Sequence, residues 1–166
     1  MVAFIVGLVA VTLYLLGYQQ KKRKQIIIFN VTSRVLYILQ YVLLSAYEGA
    51  VLDIAGTISS LFAQKKNVPF IKKHLWVFIV GVNIIIIIMG ALVYKNPLSI
   101  LPVIAVILHT GAFWLDNEKH IRLVSLAGSP LWLIYNFACG AYGSCIGDVL
   151  SIVSIVTAMI RYDYKK

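Results

Sequence analysis

The sequence predicts an all-α integral membrane protein of seven spanning helices, arranged as three helices, a connector and three more. Three observations carry this: a composition poor in charge, apolar runs of spanning length, and an ungapped internal repeat. Hydrophobic residues make up 61% of the 166, and charged ones only 13%. A soluble domain carries about 25% charged residues, so polar side chains here are too few to coat a globule in water. Lipid must be the solvent for much of the surface. The formal charge of +9 does not signal nucleic acid, because the basic residues sit in short clusters between apolar runs, as membrane topology dictates. The first apolar run has no basic stretch before it and no small-residue cleavage site after it, so it reads as a first spanning helix.

A spanning helix needs about 20 apolar residues, within a range of roughly 17 to 25. The candidates are 2–18, 25–45, 49–63, 75–94, 97–115, 121–140 and 143–160, the third being short. Charge or turn chemistry divides them: the basic run 19–24, Tyr47-Glu48-Gly49, the basic stretch 65–74, Lys95-Asn96-Pro97, Asp116 to Lys119, and Tyr142-Gly143-Ser144. Such spacing leaves no room for a soluble domain, so residues 1–166 form one membrane domain. Orientation follows from charge. An outside N-terminus places Lys21, Lys22, Arg23, Lys24, Lys65, Lys66, Lys72, Lys73, Lys119, Arg122, Arg161, Lys165 and Lys166 in the cytoplasm. Only Lys95 is then outside, with Arg34 inside a helix. That is a strong positive-inside bias, and it puts the C-terminus in the cytoplasm.

Residues 1–63 lie on 96–158 without a gap at a shift of 95, and twelve positions are identical. Apolar chains coincide often, so the placement of the matches matters more than their number. Ala46, Tyr47 and Asp53 fall on Ala141, Tyr142 and Asp148; Lys24 falls on Lys119, Tyr37 on Trp132, and Ser59 on Ser154. The expected plan is a first three-helix repeat at 1–63, a connecting helix at 75–94 and a second repeat at 96–160. An odd connector makes the halves parallel, and their shared midplane is then the natural solute site. Pro102 and Pro130 replace Gly7 and Val35 of the first half. Proline in a spanning helix frees a carbonyl and bends the rod, which makes both residues candidate hinges.

Two resemblances follow. The plan looks like that of the SWEET and PQ-loop transporters and of the nicotinamide riboside transporters. Over most of its length the chain is more similar to the YgjV family of bacterial inner-membrane proteins. That similarity is carried by Gly17-Tyr18 with Arg23-Lys24, by the stretch from Gly128 to Asn136 and by the closing Ile160 to Asp163. The YgjV resemblance implies the inner membrane but no substrate; the other implies transport by analogy of architecture. The chain departs from the SWEET pattern in having no Pro-Gln dipeptide and no proline in its first helix.

Trp132 and Asn136 are one helical turn apart on one face, as are their repeat mates Tyr37 and Tyr41. If the halves face each other, three rings and an amide converge into a box that can stack a planar or sugar-like solute. The competing reading is packing or interfacial aromatics. Arg34, near the centre of its helix, is costly in lipid and needs a partner. Asn30 shares its face, and the expected partners are hydroxyls or carbonyls near Thr12, Ser59 and Ser60, with Asp53 only at full stretch. Asp53 and Asp148 are candidates for gating or for holding protons or cations, against a capping role near helix N-termini. Gly49, Gly56, Ser59, Ser60 and Ala63, and then Gly143, Gly147, Ser151 and Ser154, form small-residue stripes. Such stripes allow close approach, so the third and seventh helices are expected between the other two of each half. Cys139 and Cys145 read as packing residues, with a disulfide as the alternative.

No enzyme signature is present: His74, His109 and His120 are dispersed, with no metal or nucleophile motif. No cofactor and no metal are expected; the expected partners are the bilayer and a small solute. The reading is a small transporter or facilitator for a sugar-, nucleoside- or vitamin-like solute. A non-transporting assembly or regulatory protein is the alternative.

Overall fold

The computed structural model describes residues 1–18 and 23–163, with the side chains of all of these except 17, 18, 23–28, 30 and 118. The side chain of Asn30, expected beside Arg34, therefore lies outside the described residues, as do Lys21, Lys22, Lys165 and Lys166. The described residues are helical and contain no strand. The elements are α1 (Val2–Tyr18), α2 (Arg23–Leu43), α3 (Tyr47–Gln64), α4 (Pro69–Lys73), α5 (Leu75–Leu92), α6 (Ile100–Trp114), α7 (Glu118–Ala138) and α8 (Tyr142–Tyr162), with a 3-10 turn Pro97–Ser99 leading into α6.

The expected runs meet these elements closely, with two corrections. The third is 18 residues long rather than short, because Tyr47 and Glu48 start the helix instead of forming a turn. Inside the basic stretch 65–74 lies the short α4, started by Pro69 at a first-turn position where its missing N–H costs nothing. Three helical segments are long and apolar enough to cross a membrane: Leu75–Leu92, Pro97–Trp114 and Tyr142–Tyr162. Val2–Leu16 and Val31–Leu43 are shorter apolar helices. The helices α3 and α7 are more polar, since α3 carries Glu48 and Asp53 and α7 opens on charged residues.

The ends of α2 and α7 are built alike. Each closes on a residue of positive φ, Ser45 at 55° and Gly140 at 76°, and in each the next amide returns to the last turn. Ala46 N–H donates to the Tyr41 carbonyl at 2.9 Å, and Ala141 N–H to the Asn136 carbonyl at 2.8 Å. This is the Schellman pattern, which satisfies carbonyls the helix leaves unpaired. Donors and acceptors in the two turns are related by the shift of 95.

Packing runs from α1 to α2, α3, α6, α7, α8 and back to α1, while α5 lies against α3 and α6. The isoleucines Ile84, Ile85, Ile87 and Ile88 of α5 stay exposed, as a lipid-facing helix requires. The expectation that the small-residue helices sit between the other two of each half is corrected. Between its neighbours in sequence sits α2, and α7 likewise; α3 and α8 instead cross to the other half. Their glycines explain this. A Cβ on Gly143 would meet Gly7 Cα and the Phe4 carbonyl oxygen, both at 2.9 Å, so α8 lies nearly backbone to backbone on α1. A Cβ on Gly56 would come within 3.3 Å of Val106 on α6.

Two polar links repeat the same relation. The Tyr135 hydroxyl accepts from Gly49 N–H at 3.0 Å, which satisfies one of the unpaired amides at the start of α3. Ser144 Oγ donates to Gln40 Oε1 at 2.6 Å. Gln40 and Tyr135 are 95 apart, and so are Gly49 and Ser144.

Pro102 lies in the first turn of α6, where no intrahelical bond is lost, so it is not the mid-helix bend expected. Pro130 does stand inside α7. Arg122, near the start of α7, grips both carboxylate oxygens of Asp163, Nε reaching Oδ2 at 2.9 Å and Nη2 bonding Oδ1. Those hydrogen bonds hold Asp163 below the usual carboxylate range. A depressed carboxylate stabilises the fold above its unfolded value, and the gain is lost as pH falls through the folded value. Asp163→Asn should therefore lower the melting temperature in detergent at neutral pH, and the gap to wild type should close below about pH 4. A gap that persists in acid would show that the bond contributes nothing through charge.

Candidate functional site

All six helices of the packed circuit line one cavity of about 90 Å³. That is room for several waters and small for a drug-sized ligand. Tyr37, Tyr41, Trp132, Asn136, Arg34, Asp53 and Asp148 all border it. The structure therefore brings together every binding and gating candidate whose side chain is described. Small groups also line it: Gly56, Ser129, Ser144, Gly147 and Ser151. The proline candidates Pro102 and Pro130 are not part of this wall.

The rings are ordered by one another. Tyr41 stacks on Trp132 with centroids 6.1 Å apart and an interplanar angle of 21°. Trp132 meets Tyr135 edge-on at 6.1 Å. Stacked and edge-on pairs of this kind add about 0.5–1.5 kcal/mol each beyond burial, so the wall is preformed rather than mobile. The rings stand mid-helix and line the cavity, which argues against an interfacial belt.

Hydrogen bonds join the halves at the same level. Tyr41 Oη donates to Asn136 Oδ1 at 2.7 Å, a pair related by the shift of 95. Asn136 Nδ2 then donates to Asp148 Oδ2 at 2.7 Å. The buried amide thus has both ends engaged, and its orientation is fixed. Tyr41 leads through Asn136 to Asp148, from α2 through α7 to α8.

Arg34 pairs with Asp53, Nη1 to Oδ1 at 2.8 Å, with both side chains largely enclosed. This corrects two expectations. Hydroxyls or carbonyls were the expected partners, with Asp53 only at full stretch; the carboxylate is bonded directly, while Thr12 donates to the Leu8 carbonyl and Ser60 to the Gly56 carbonyl of their own helices. Ser59 Oγ has no hydrogen-bond partner among the described residues. Counted from a turn at Tyr47, Asp53 stands seven residues from the level of Arg34, whereas the turn centres on Ser45. The offset then shrinks to three residues, about 4.5 Å, well within an arginine's reach. Asp53 and Asp148 are not caps either. They lie about two turns inside helices whose N-caps, Ala46 and Ala141, make no side-chain capping bond.

The repeat therefore places two carboxylates alike and equips them differently. Arg34 serves Asp53, but the mate of Arg34 is Ser129, whose hydroxyl donates to the Ser125 carbonyl at 2.9 Å. Asp148 has an amide and, among the described residues, no basic partner.

Sequence reasoning passed over Tyr14, His109 and Thr110, which also line the cavity. His109 packs closely on Gly128, with Ser129 Oγ 3.5 Å from its Nε2. The missed signal was the repeat, because Tyr14 and His109 are mates at the shift of 95. Cys139 and Cys145 are free thiols. Among the described residues, no three metal-ligating side chains gather.

Residues 1–166 match the family described as a bacterial inner membrane protein, Imp-YgjV. The chain belongs to this family. No curated protein and no solved structure matches it.

Proposed function

We propose that this inner-membrane protein is a small transporter or facilitator, moving a small polar solute by alternating access between two three-helix halves. In this reading α1–α3 and α6–α8 are parallel repeats of a 3+1+3, SWEET-like plan with seven spanning helices, joined by α5. The N-terminus is outside and the C-terminus cytoplasmic. The observation that carries the reading is the cavity between the six helices. Polar and aromatic groups from all six helices converge on it, and an ion pair and an amide relay are held where a packed bundle would place aliphatic side chains. Charge inside a membrane bundle is expensive, and where it is kept it marks solute or ion pathways. The small-residue contacts of α1 with α8 and of α3 with α6 are the surfaces on which one half would rock against the other.

The test is counterflow in proteoliposomes holding the full chain, with labelled hexose, ribonucleoside and pyridine nucleoside as trial solutes. Saturable exchange of one of them is expected. Asn136→Ala, which unties Tyr41 from Asp148, should reduce it by about tenfold or more, the scale of one lost hydrogen bond to a charged group. Exchange by that variant equal to wild type would remove Asn136 from the solute path.

A further inference from the structure

The proposal above leaves the solute's chemistry open, and the charges of the cavity narrow it. One guanidinium and two carboxylates border the space. The guanidinium is committed to Asp53 at 2.8 Å. Asp148 is left with the Asn136 amide. The ionisable side chains that share the cavity with Asp148 are Tyr14 of α1, Arg34, Tyr37 and Tyr41 of α2, Asp53 of α3 and His109 of α6. From α7 come Ser129, Trp132 and Asn136, none of them a cation. The phenols and the indole present π-systems whose faces attract positive charge. A surplus carboxylate walled by four aromatic rings is the chemistry that recognises an ammonium group.

We propose that the cavity binds a small organic cation, an ammonium head on a compact apolar or planar body, with Asp148 as its counterion and a proton as its competitor. This rests on the reading of the cavity as a solute site. The cation's N–H groups donate to Asp148, and its body lies against Tyr37, Tyr41 and Trp132. When the cation leaves, a proton takes its place on the carboxylate, so the site exchanges one positive charge for another. The Arg34–Asp53 pair keeps the second carboxylate out of that exchange. Anionic solutes are rejected, because the one guanidinium is already neutralised.

The test uses benzylammonium, benzyl alcohol and benzoate, which share a ring and differ in the charge of the head. Binding to the full-length protein in detergent is measured by calorimetry. Benzylammonium should bind at least about tenfold more tightly than either of the others, as expected when a desolvated charge pair with its cation–π contact is present or absent. Its affinity should weaken as pH falls, with a proton released to buffer for each cation bound across that range. Asp148→Asn keeps the shape and a polar partner for Asn136, and it should abolish both the preference and the pH dependence. Equal binding of benzyl alcohol, tighter binding of benzoate, or an Asp148→Asn variant that binds benzylammonium like wild type would overturn the proposal. Should that variant fail to fold, the ligand series and the pH dependence of the wild type still decide. Binding without passage across a bilayer would contradict the transporter reading and leave this one intact. Passage of a neutral solute indifferent to Asp148→Asn would do the reverse.

Discussion

Arg34→Leu is expected to insert in the membrane, to lose stability and to stop solute movement altogether. The substitution leaves the Asp53 carboxylate enclosed without the guanidinium that lies 2.8 Å from it. Removing one member of a buried pair costs about 3–5 kcal/mol, because the surviving charge has lost its compensation. Asp53 then has to take up a proton, and both carboxylates of the cavity compete for the role that Asp148 holds alone. Arg34→Lys should recover little function, since a compact ammonium lacks the planar fork that fits a carboxylate. Adding Asp53→Asn to Arg34→Leu removes the stranded charge, so the double variant should melt above Arg34→Leu alone. The coupling should fall within about 0.5–3 kcal/mol, the range for contacting residues. Equal melting of the single and double variants would show that the pair does not act as a pair.

Gly143→Ala is the second large effect. Its Cβ would fall 2.9 Å from Gly7 Cα and from the Phe4 carbonyl oxygen, and 3.0 Å from the Gly7 carbonyl carbon. These are backbone atoms, which cannot swing aside, so α1 and α8 must separate. Separation loosens the dispersion contacts along the whole crossing, including Val11 against Gly147, and pulls on the adjacent Ser144–Gln40 bond. Overpacking of this kind costs about 1–3 kcal/mol. The drop should appear in the thermal midpoint of the purified protein and in solute exchange. Gly81→Ala is the control, because nothing lies within 4 Å of that position. Equal melting of the two variants would contradict the close crossing of α1 and α8.

Much of the fold was legible because lipid imposes simple rules on sequence. Apolar runs separated by charge gave the helices to within a few residues, and the shift of 95 foreshadowed the matched turns at Ser45 and Gly140. The cavity wall was legible for the same reason. Tyr37, Tyr41, Trp132 and Asn136 share turn spacing and repeat position, so one argument covered all four. Other features depend on distances that spacing does not contain. The register between α2 and α3 turns on a positive φ at Ser45, and two residues of error there made Asp53 look reachable only at full stretch. The side to which α3 and α8 pack is decided by glycine contacts such as Gly143 on Gly7. A small-residue stripe signals closeness without naming the neighbour. Pro102 looked like a hinge because its helix was expected to begin earlier than the 3-10 turn allows.

The central claim is that the cavity opens in turn to each side of the membrane, and it can be tested without knowing the solute. Ser151 lines the cavity from α8 and is small enough to exchange for cysteine without distortion. A Ser151→Cys chain with Cys139→Ser and Cys145→Ser is prepared in right-side-out and in inside-out vesicles. Each is then treated with a membrane-impermeant cationic thiol reagent. Alternating access predicts modification in both preparations, because the same residue faces each compartment in turn. Modification from one side only, or from neither, would mark a fixed pocket in a non-transporting membrane protein and would contradict the account.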